Sequence, residues 1–392
     1  MVEVEAARDE REIIAQFNIL LKNFSGFNNL GEVREIRKIE DIDRIPMTTR
    51  QSLESLGIKN APIQPLCMHV TSGSSGKNVP VFYSEKSWQV LVERTKKLFE
   101  FMEISKKDIV LNLFEYGLSN EGLAIDNALA SAGIAAFPCG NLEKEKKYLA
   151  RDLIKKIKPT ALISFPSFIF DLIELNADLS SIKKIMHAGS FVSREFFDFM
   201  RSRIDAVFYN CYGCNEVGPI SISRTFEDEF SLLIDKGLYI EVLDDNSKPH
   251  EIGEGRILIT DLYNLSTPMI RYFLGDRVKI IKQDGKKYIK VLKREDSYSK
   301  INGAVMPVGL LVKTCMEQIG HDHFSILVNF SKSSMKDETV IYLLKKDAGK
   351  ASALQKEFNE KLNLFPQIKL IGNMPRTFTG KIRNFIDARK PE

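Results

Sequence analysis

The sequence predicts an α/β fold. A large N-terminal domain carries mostly parallel sheets covered by helices plus a β-hairpin subdomain, and a small α+β domain follows it. Three observations support this. Between residues 66 and 210, short apolar strand candidates alternate with helical stretches, the pattern of a parallel sheet covered by helices. Between about 230 and 295 the texture changes to short β segments punctuated by Asp-Asn and Asp-Gly, which read as antiparallel hairpins. After 300, helix and strand patterns mix over a tail of about 95 residues, enough for a small domain.

Taken in order, residues 10–22 place Ile13, Ile14, Phe17, Leu20 and Leu21 at helical spacing. IPMTTR at 45–50 starts a further helix, with Thr48 as a candidate cap. LCMHV at 66–70 leads into a glycine-rich loop, and 85–102 is helical. Strands follow at 108–114, 133–138, 160–165, 182–187 and 206–209, with helices at 121–132, 144–156, from 167, and at 193–203. Ligands in such sheets bind at the carboxyl ends of the strands. In the tail, 309–319 and 351–362 read as helices, and 324–330 and 339–344 as strands.

Composition excludes several classes. The 392 residues are 44% hydrophobic and 28% charged, with a formal net charge of +4. Lysines interleave with acids, which argues against a nucleic-acid partner. No apolar run reaches the roughly 18 residues of a membrane span, and the acidic start MVEVEAARDEREII is not a secretory signal. Five scattered cysteines suit reduced thiols and a cytoplasmic location. Cys211 and Cys214 form a CxxC pair with no second pair to complete a zinc site.

Five stretches hold the chemistry. The first, VTSGSSGK at 70–77, sets Thr71, Ser72, Ser74 and Ser75 around Gly73 and Gly76, followed by Lys77. A phosphate loop of the GxxxxGK[ST] type needs four residues between its glycines; here there are two. The backbone can still cradle phosphate, and a solvated Ser/Gly turn is the competing reading. The second, NCYGCNE at 210–216, offers a ring, Tyr212, and a carboxylate, Glu216, after the strand AVFY. A ring of this kind can stack on a base, and a carboxylate can hold Mg²⁺. The third, RYFLGD at 271–276, sets Asp276 after a tight turn, where it can accept ribose hydroxyls or merely cap a hairpin. The fourth runs from Lys293 and Arg294 to Gly303, and the fifth is PRTFTGKIR at 375–383.

In this order and spacing the five resemble the adenylate-forming superfamily of acyl- and aryl-CoA ligases, carrier-protein adenylation domains and luciferases, over about residues 66–385. LNLFEYGLSNEG at 111–122 and MIRYFLGD at 269–276 look most like the phenylacetate–CoA ligase branch. The resemblance implies ATP-dependent activation of a carboxylic acid as an acyl-adenylate, release of pyrophosphate, then transfer to a thiol. It implies that Thr71 to Lys77 hold the β and γ phosphates, that His187, Ala188, Gly189 and Ser190 form the strand-end adenine-binding segment, that Tyr212 stacks on adenine, and that Asn210 and Gly213 belong to the cofactor site. Asn215 would touch the α-phosphate and Glu216 would bind Mg²⁺. Asp276 would hold the ribose, Arg294 the ribose and phosphate. Asp296 would be the hinge, dividing the chain into 1–295, an AMP-binding domain, and 296–392, a mobile lid. Lys381 would bridge the carboxylate and the α-phosphate. The acid would lie along Phe114, Glu115, Tyr116 and Gly117, whose two rings suit an aryl or other apolar acid, with a plain core wall as the competing reading. Three residues depart from the usual pattern: Asn215 for Thr or Ser, Ser190 for Glu, and Lys293 for Gly. Expected partners are the acid and CoA, or alternatively a carrier-protein phosphopantetheine or an amine, with a homodimer left open. A catalytically silent nucleotide-binding protein is the third reading.

Overall fold

The computed structural model describes residues 9–27, 30–54, 56–57, 61–71, 79–142, 146–294, 298–301, 304–331, 336–377 and 380–389. Ser72, Gly73, Ser74, Ser75, Gly76, Lys77 and Asp296 lie outside the described residues.

Helix α1 (Glu10–Asn23) starts on Asp9, whose carboxylate accepts the Arg11 N–H, satisfying one of the otherwise orphaned first-turn donors. Its apolar stripe of Ile13, Phe17, Leu20 and Leu21 packs in one cluster with Tyr239, Leu262 and Ile270. Helix α2 (Arg50–Leu53) is capped by Thr49, which accepts from the Ser52 N–H, and not by Thr48. Thr48 is fully buried. Its hydroxyl donates to the Ile270 carbonyl at 2.8 Å, and its backbone pairs with Arg271 and Phe273. Thr48 stitches the N-terminal segment to a distant strand, so the capping role passes to its neighbour.

A hairpin of β1 (Cys67–Val70) and β2 (Pro80–Tyr83) flanks the glycine-rich stretch. The chain then alternates α3 (Glu85–Phe101), β3 (Ile109–Asn112), α4 (Glu121–Ser131), β4 (Ala135–Pro138), α5 (Lys146–Ile157), β5 (Ala161–Ser164), α6 (Pro166–Glu174), β6 (Lys184–Ala188), α7 (Arg194–Arg201) and β7 (Val207–Cys214). These strands pair in parallel in the order β4-β3-β5-β6-β7. The β5 residues are all buried, as expected of a strand covered on both faces.

The hairpin region continues the same sheet. Strands β8 (Gly218–Arg224), β9 (Ser231–Leu233), β10 (Leu238–Leu243), β11 (Pro249–His250), β12 (Gly253–Asp261), β13 (Tyr272–Gln283) and β14 (Lys286–Arg294) add antiparallel to β7, giving a 12-stranded sheet. Two placements differ from the sequence reading. NCYGC belongs to β7 itself, with a register shift between Tyr212 and Gly213. Asp276 sits inside β13 opposite Arg294, preceded by Gly275 at φ +88°. Both stretches look like turns in sequence because each carries a glycine. In the sheet those glycines instead accompany local strand irregularities.

The C-terminal unit has a hairpin, β15 (Tyr298–Ile301) and β16 (Ala304–Pro307), then α8 (Val308–Ile319), β17 (Phe324–Ser331), β18 (Lys336–Leu344), α9 (Ala351–Leu362), β19 (Gln367–Ile371) and β20 (Phe385–Asp387). Its four-stranded sheet has the order β19-β18-β17-β20. Leu311, Phe324, Ile326, Ile341 and Phe358 belong to a core distinct from that of the large sheet. Among the described residues no helix is long and apolar enough to cross a membrane.

Candidate active site

The glycine-rich stretch is pinned at its neck. Thr71 is buried. Its N–H donates to the Val79 carbonyl at 3.0 Å. Its hydroxyl oxygen accepts from the Val79 N–H at 3.1 Å and from Arg50 Nη2 at 2.8 Å. Whatever the loop does between these residues, its two feet are held together and tied to an arginine.

Arg50 also reaches Glu216, at 3.6 Å. Glu216 is only 6% exposed, and its carboxylate accepts from the Tyr272 hydroxyl at 3.2 Å. Burial raises the Tyr272 hydroxyl pKa, and the Glu216 charge raises it further, so it stays a donor. Among the described residues there is no group of three His, Cys, Asp or Glu that could cage a metal. A single buried carboxylate nonetheless fits Mg²⁺, which takes one or two carboxylates and completes its octahedron with phosphates and water.

Asn215 ties three segments. Its Nδ2 donates to the Val70 carbonyl at 2.7 Å, and its Oδ1 accepts the Asn120 N–H at 3.0 Å. Asn120 in turn donates to the Tyr83 hydroxyl at 2.9 Å and to the Asn215 carbonyl at 2.9 Å. An asparagine amide carries two N–H donors, so one contact to Val70 leaves a second direction for an anion.

At the carboxyl ends of β6 and β7, the residues expected to hold a nucleotide come together. His187 and Ala188 on β6 pair with Asn210 and Cys211 on β7. Gly189 follows at φ +81° with Ser190 beside it. The Tyr212 hydroxyl donates to Asp276 Oδ2 at 2.6 Å, and Arg294 lies 3.9 Å from Asp276 Oδ1. Burial, and then the Asp276 charge, push the Tyr212 pKa well above its ordinary value. A neutral hydroxyl thus donates to the Asp276 carboxylate. His187 is buried, with Nε2 against the Thr225 hydroxyl at 2.9 Å, and burial pushes its pKa down to about 4. Burial likewise lifts the Cys211 thiol to about 12 and Cys214 well above its ordinary value. Burial thus favours the neutral thiol form of both cysteines.

Lys381 arrives at this site from the other end of the chain. Its Nζ sits 4.9 Å from the centroid of the Phe165 ring. A methyl group placed on Gly189 would lie 2.6 Å from Phe165 Cε1 and 2.9 Å from Lys381 Nζ. Only a glycine leaves room there for the lysine. Phe165 in turn meets Phe114 edge-on, centroids 4.6 Å apart, so Phe114 reaches the lysine through Phe165. The Tyr116 hydroxyl donates to Asp126 at 2.7 Å and accepts from Asn112 at 2.9 Å. Gly117, exposed and at φ +136°, follows it.

Helix α6 carries the contacts that seat the C-terminal unit. Arg376 Nη2 donates to Asp171 Oδ2 at 2.8 Å and its Nη1 to the Ser167 hydroxyl at 2.9 Å. The His323 ring lies 3.2 Å from Asp171 and 3.0 Å from Asp322. Lys346 lies 4.1 Å over the Phe170 ring and pairs with Glu174. Motif reading did not single out Arg50, Asn120, Phe165 or Asp171. Their partners lie between 21 and 216 residues away along the chain, and no local pattern marks such pairs. The one available signal was position: Arg50 ends IPMTTR, and Phe165 ends a strand candidate.

Known proteins resemble this chain in sequence and shape. Phenylacetate-coenzyme A ligase from Thermus thermophilus is 24% identical over 251 residues, 60% of this chain and 56% of that protein. Indoleacetate–lysine synthetase from Pseudomonas savastanoi is 26% identical over 200 residues, 48% of this chain and 47% of that protein. The chain thus spans about half the length of the curated relatives it matches. Among solved structures, 2-hydroxyisobutyryl-CoA ligase in its postadenylation state with 2-HIB-AMP superposes with a TM-score of 0.75 at 17% identity, over 99% of this chain and 91% of that one. The same ligase in its thioesterification state gives 0.66 at 18% identity with the same coverage. Residues 26–263, more than half of the 392, match the model of the AMP-binding enzyme family, and the chain belongs to that family.

Proposed function

We propose that the protein activates a carboxylic acid with ATP as an acyl-adenylate, releasing pyrophosphate, and passes the acyl group to the thiol of CoA. The observation that carries this reading is the seat of Lys381. A lysine from residue 381 is wedged at Gly189 and Phe165, at the end of the strand whose neighbour bears Tyr212, which bonds Asp276.

The chemistry demands such a cation. A carboxylate must attack a triphosphate, and the two anions repel. Lys381 would sit between the carboxylate oxygen and the α-phosphate, offsetting charge that grows in the transition state. Asp276, oriented by Tyr212, would receive the ribose hydroxyls, with Arg294 alongside. Thr71 to Lys77 would hold the β and γ phosphates, and the second Nδ2 hydrogen of Asn215 would face the α-phosphate. Glu216 would hold Mg²⁺, which supplies charge neutralisation at the triphosphate. Arg50 stands beside that carboxylate, 3.6 Å away. Phe165 and Phe114 form an apolar wall behind the lysine, which favours an aryl or otherwise apolar acid.

After adenylation the lysine must leave if a thiol is to reach the same carbonyl. We assign that movement to a lid of residues 296–392 turning about Asp296 against the AMP-binding domain of 1–295. The separate core of the C-terminal unit supports rigid-body motion of this kind. The higher superposition score to a postadenylation state than to a thioesterification state supports a lysine-in arrangement here.

A second reading keeps the adenylate but changes the acceptor to an amine. It is favoured by the similarity to a relative whose name joins indoleacetate to lysine. Pyrophosphate exchange with a panel of aryl and aliphatic acids, followed by CoA, a phosphopantetheinyl carrier or lysine as acceptor, separates these. Exchange followed by a CoA thioester is the expected result. Exchange with an amide product favours the second reading, and no exchange with any acid overturns both.

A further inference from the structure

We propose that Asp171 on α6 is a positioning residue for the adenylation step: through Arg376 it holds the turn that delivers Lys381 to Gly189. The proposal rests on the ligase reading and adds a residue to it.

A single guanidinium connects the two parts. Arg376 Nη1 donates to the Gly380 carbonyl at 2.9 Å as well as to the Ser167 hydroxyl, while Nη2 donates to Asp171. Gly380 immediately precedes Lys381. Arg376 is therefore clamped to α6 on one side and to the lysine's own turn on the other. The ends of that turn are closed by Gly380 N–H to the Thr377 carbonyl at 2.8 Å and Thr377 N–H to the Lys381 carbonyl at 2.8 Å. The Arg376 guanidinium also lies 4.6 Å over the Phe168 ring. A methyl on Gly380 would come within 2.4 Å of Phe168 Cζ, so Gly380 itself is seated tightly on the helix.

Asp171 serves no need of its own helix. The bonds of its carboxylate run to Arg376 and to His323, both from the C-terminal unit. In the stretch PSFIFDLIE, a shielded acid at this place costs desolvation that its partners from the C-terminal unit, Arg376 and His323, offset. The pair is well shielded, with side-chain exposures of 12% and 18%, so its charge-assisted bonds are directional and strong. A lysine displaced by about 1 Å loses on the order of 10²-fold in rate. Thioester formation needs no Lys381 at Gly189, so the two half-reactions should part.

The test compares wild type, Asp171→Asn and Asp171→Glu. One arm measures single-turnover adenylate formation from MgATP with phenylacetate and an acid panel. A second measures thioester formation from supplied phenylacetyl-adenylate and CoA. A third measures amide hydrogen exchange at Gly380 in the unliganded protein. Asp171→Asn should slow adenylate formation about tenfold or more, leave the thioester step within about twofold, and speed exchange at Gly380. Asp171→Glu should recover most of the loss. Equal losses in both steps, or unchanged exchange at Gly380, overturn the assignment. If wild type adenylates no acid, the ligase reading fails, and the exchange arm still decides whether Asp171 holds the turn.

Discussion

At the scale of single residues, the proposed reaction would rest on charge placed where charge will grow. Lys381 occupies a niche that exists because position 189 has no side chain. Replacing Lys381 by Ala should lower adenylate formation by about 10²-fold or more, the magnitude typical of removing one preorganised electrostatic contact. Conversion of a supplied adenylate to thioester should change little. Single-turnover assays of the two steps check this, and parallel losses would refute the role. Tyr212, Asp276, Glu216 and Lys381 are nominated by motifs that place them with characteristic neighbours, and their proposed roles await the assays. Asp171 and Arg50 are not so marked. Asp171 meets Arg376 across 205 residues, and Arg50 meets Thr71 across 21, so their roles come from proximity that local spacing does not encode.

At the scale of elements, the sheet that positions the site is fastened by buried ion pairs. Arg94 on α3 lies 3.5 Å from Asp261 at the end of β12, both essentially unexposed. Arg271 holds Glu241 through two bonds of 3.2 Å and also donates to the Ile45 carbonyl at 2.8 Å. The second pair thereby draws the N-terminal segment toward the strands ahead of Arg50. Arg94→Ala should destabilise the fold by about 3–5 kcal/mol, because it strands the Asp261 carboxylate in the interior. Urea denaturation of the variant measures it. Most elements were readable from periodicity, but several strands were missed, β19 and β20 among them. QIKLI is largely solvent-facing and FID is three residues long, so both owe their strand form to neighbours rather than to propensity. The same holds for NCYGC and RYFLGD, whose glycines signal turns locally while pairing keeps them in strands.

At the scale of the whole molecule, two histidines make opposite demands on pH. His187 has its folded pKa depressed to about 4 by burial, below the ordinary 6.5. The unfolded chain takes up the proton first, so no penalty exists above pH 6.5. The penalty grows as pH falls toward 4, reaching about 3 kcal/mol. His187→Asn should flatten that part of the stability profile, and urea midpoints between pH 4 and 7 report it. His323 is raised above 6.5: burial opposes its charge, but bonds to Asp171 and Asp322 outweigh that. Asp171 and Asp322 flank the ring, while Arg376 Nη2 lies 3.1 Å from its Nε2, so two acids set against one arginine favour the protonated ring. Nearby, His321 faces Asp347 at 3.1 Å, and Lys346 covers Phe170. The His323 contribution is complete below pH 6.5 and is lost as pH rises through its folded value. Adenylate formation should therefore weaken relative to thioester formation on the alkaline side, and His323→Gln should lose that dependence in half-reaction pH profiles.

The α/β class and most of the helices and strands can be read along the chain, and its motifs nominate the residues proposed for the site. Those properties are written in periodicity and in spacing over a few residues. Tertiary structure alone decided which strand ends meet, that the hairpin region extends the parallel sheet, and that α6 receives the C-terminal unit. It also decided that Lys381 stands at Gly189. These outcomes depend on burying charges and rings against partners hundreds of residues away, where the energy lies in the pairing and neither partner alone reveals it.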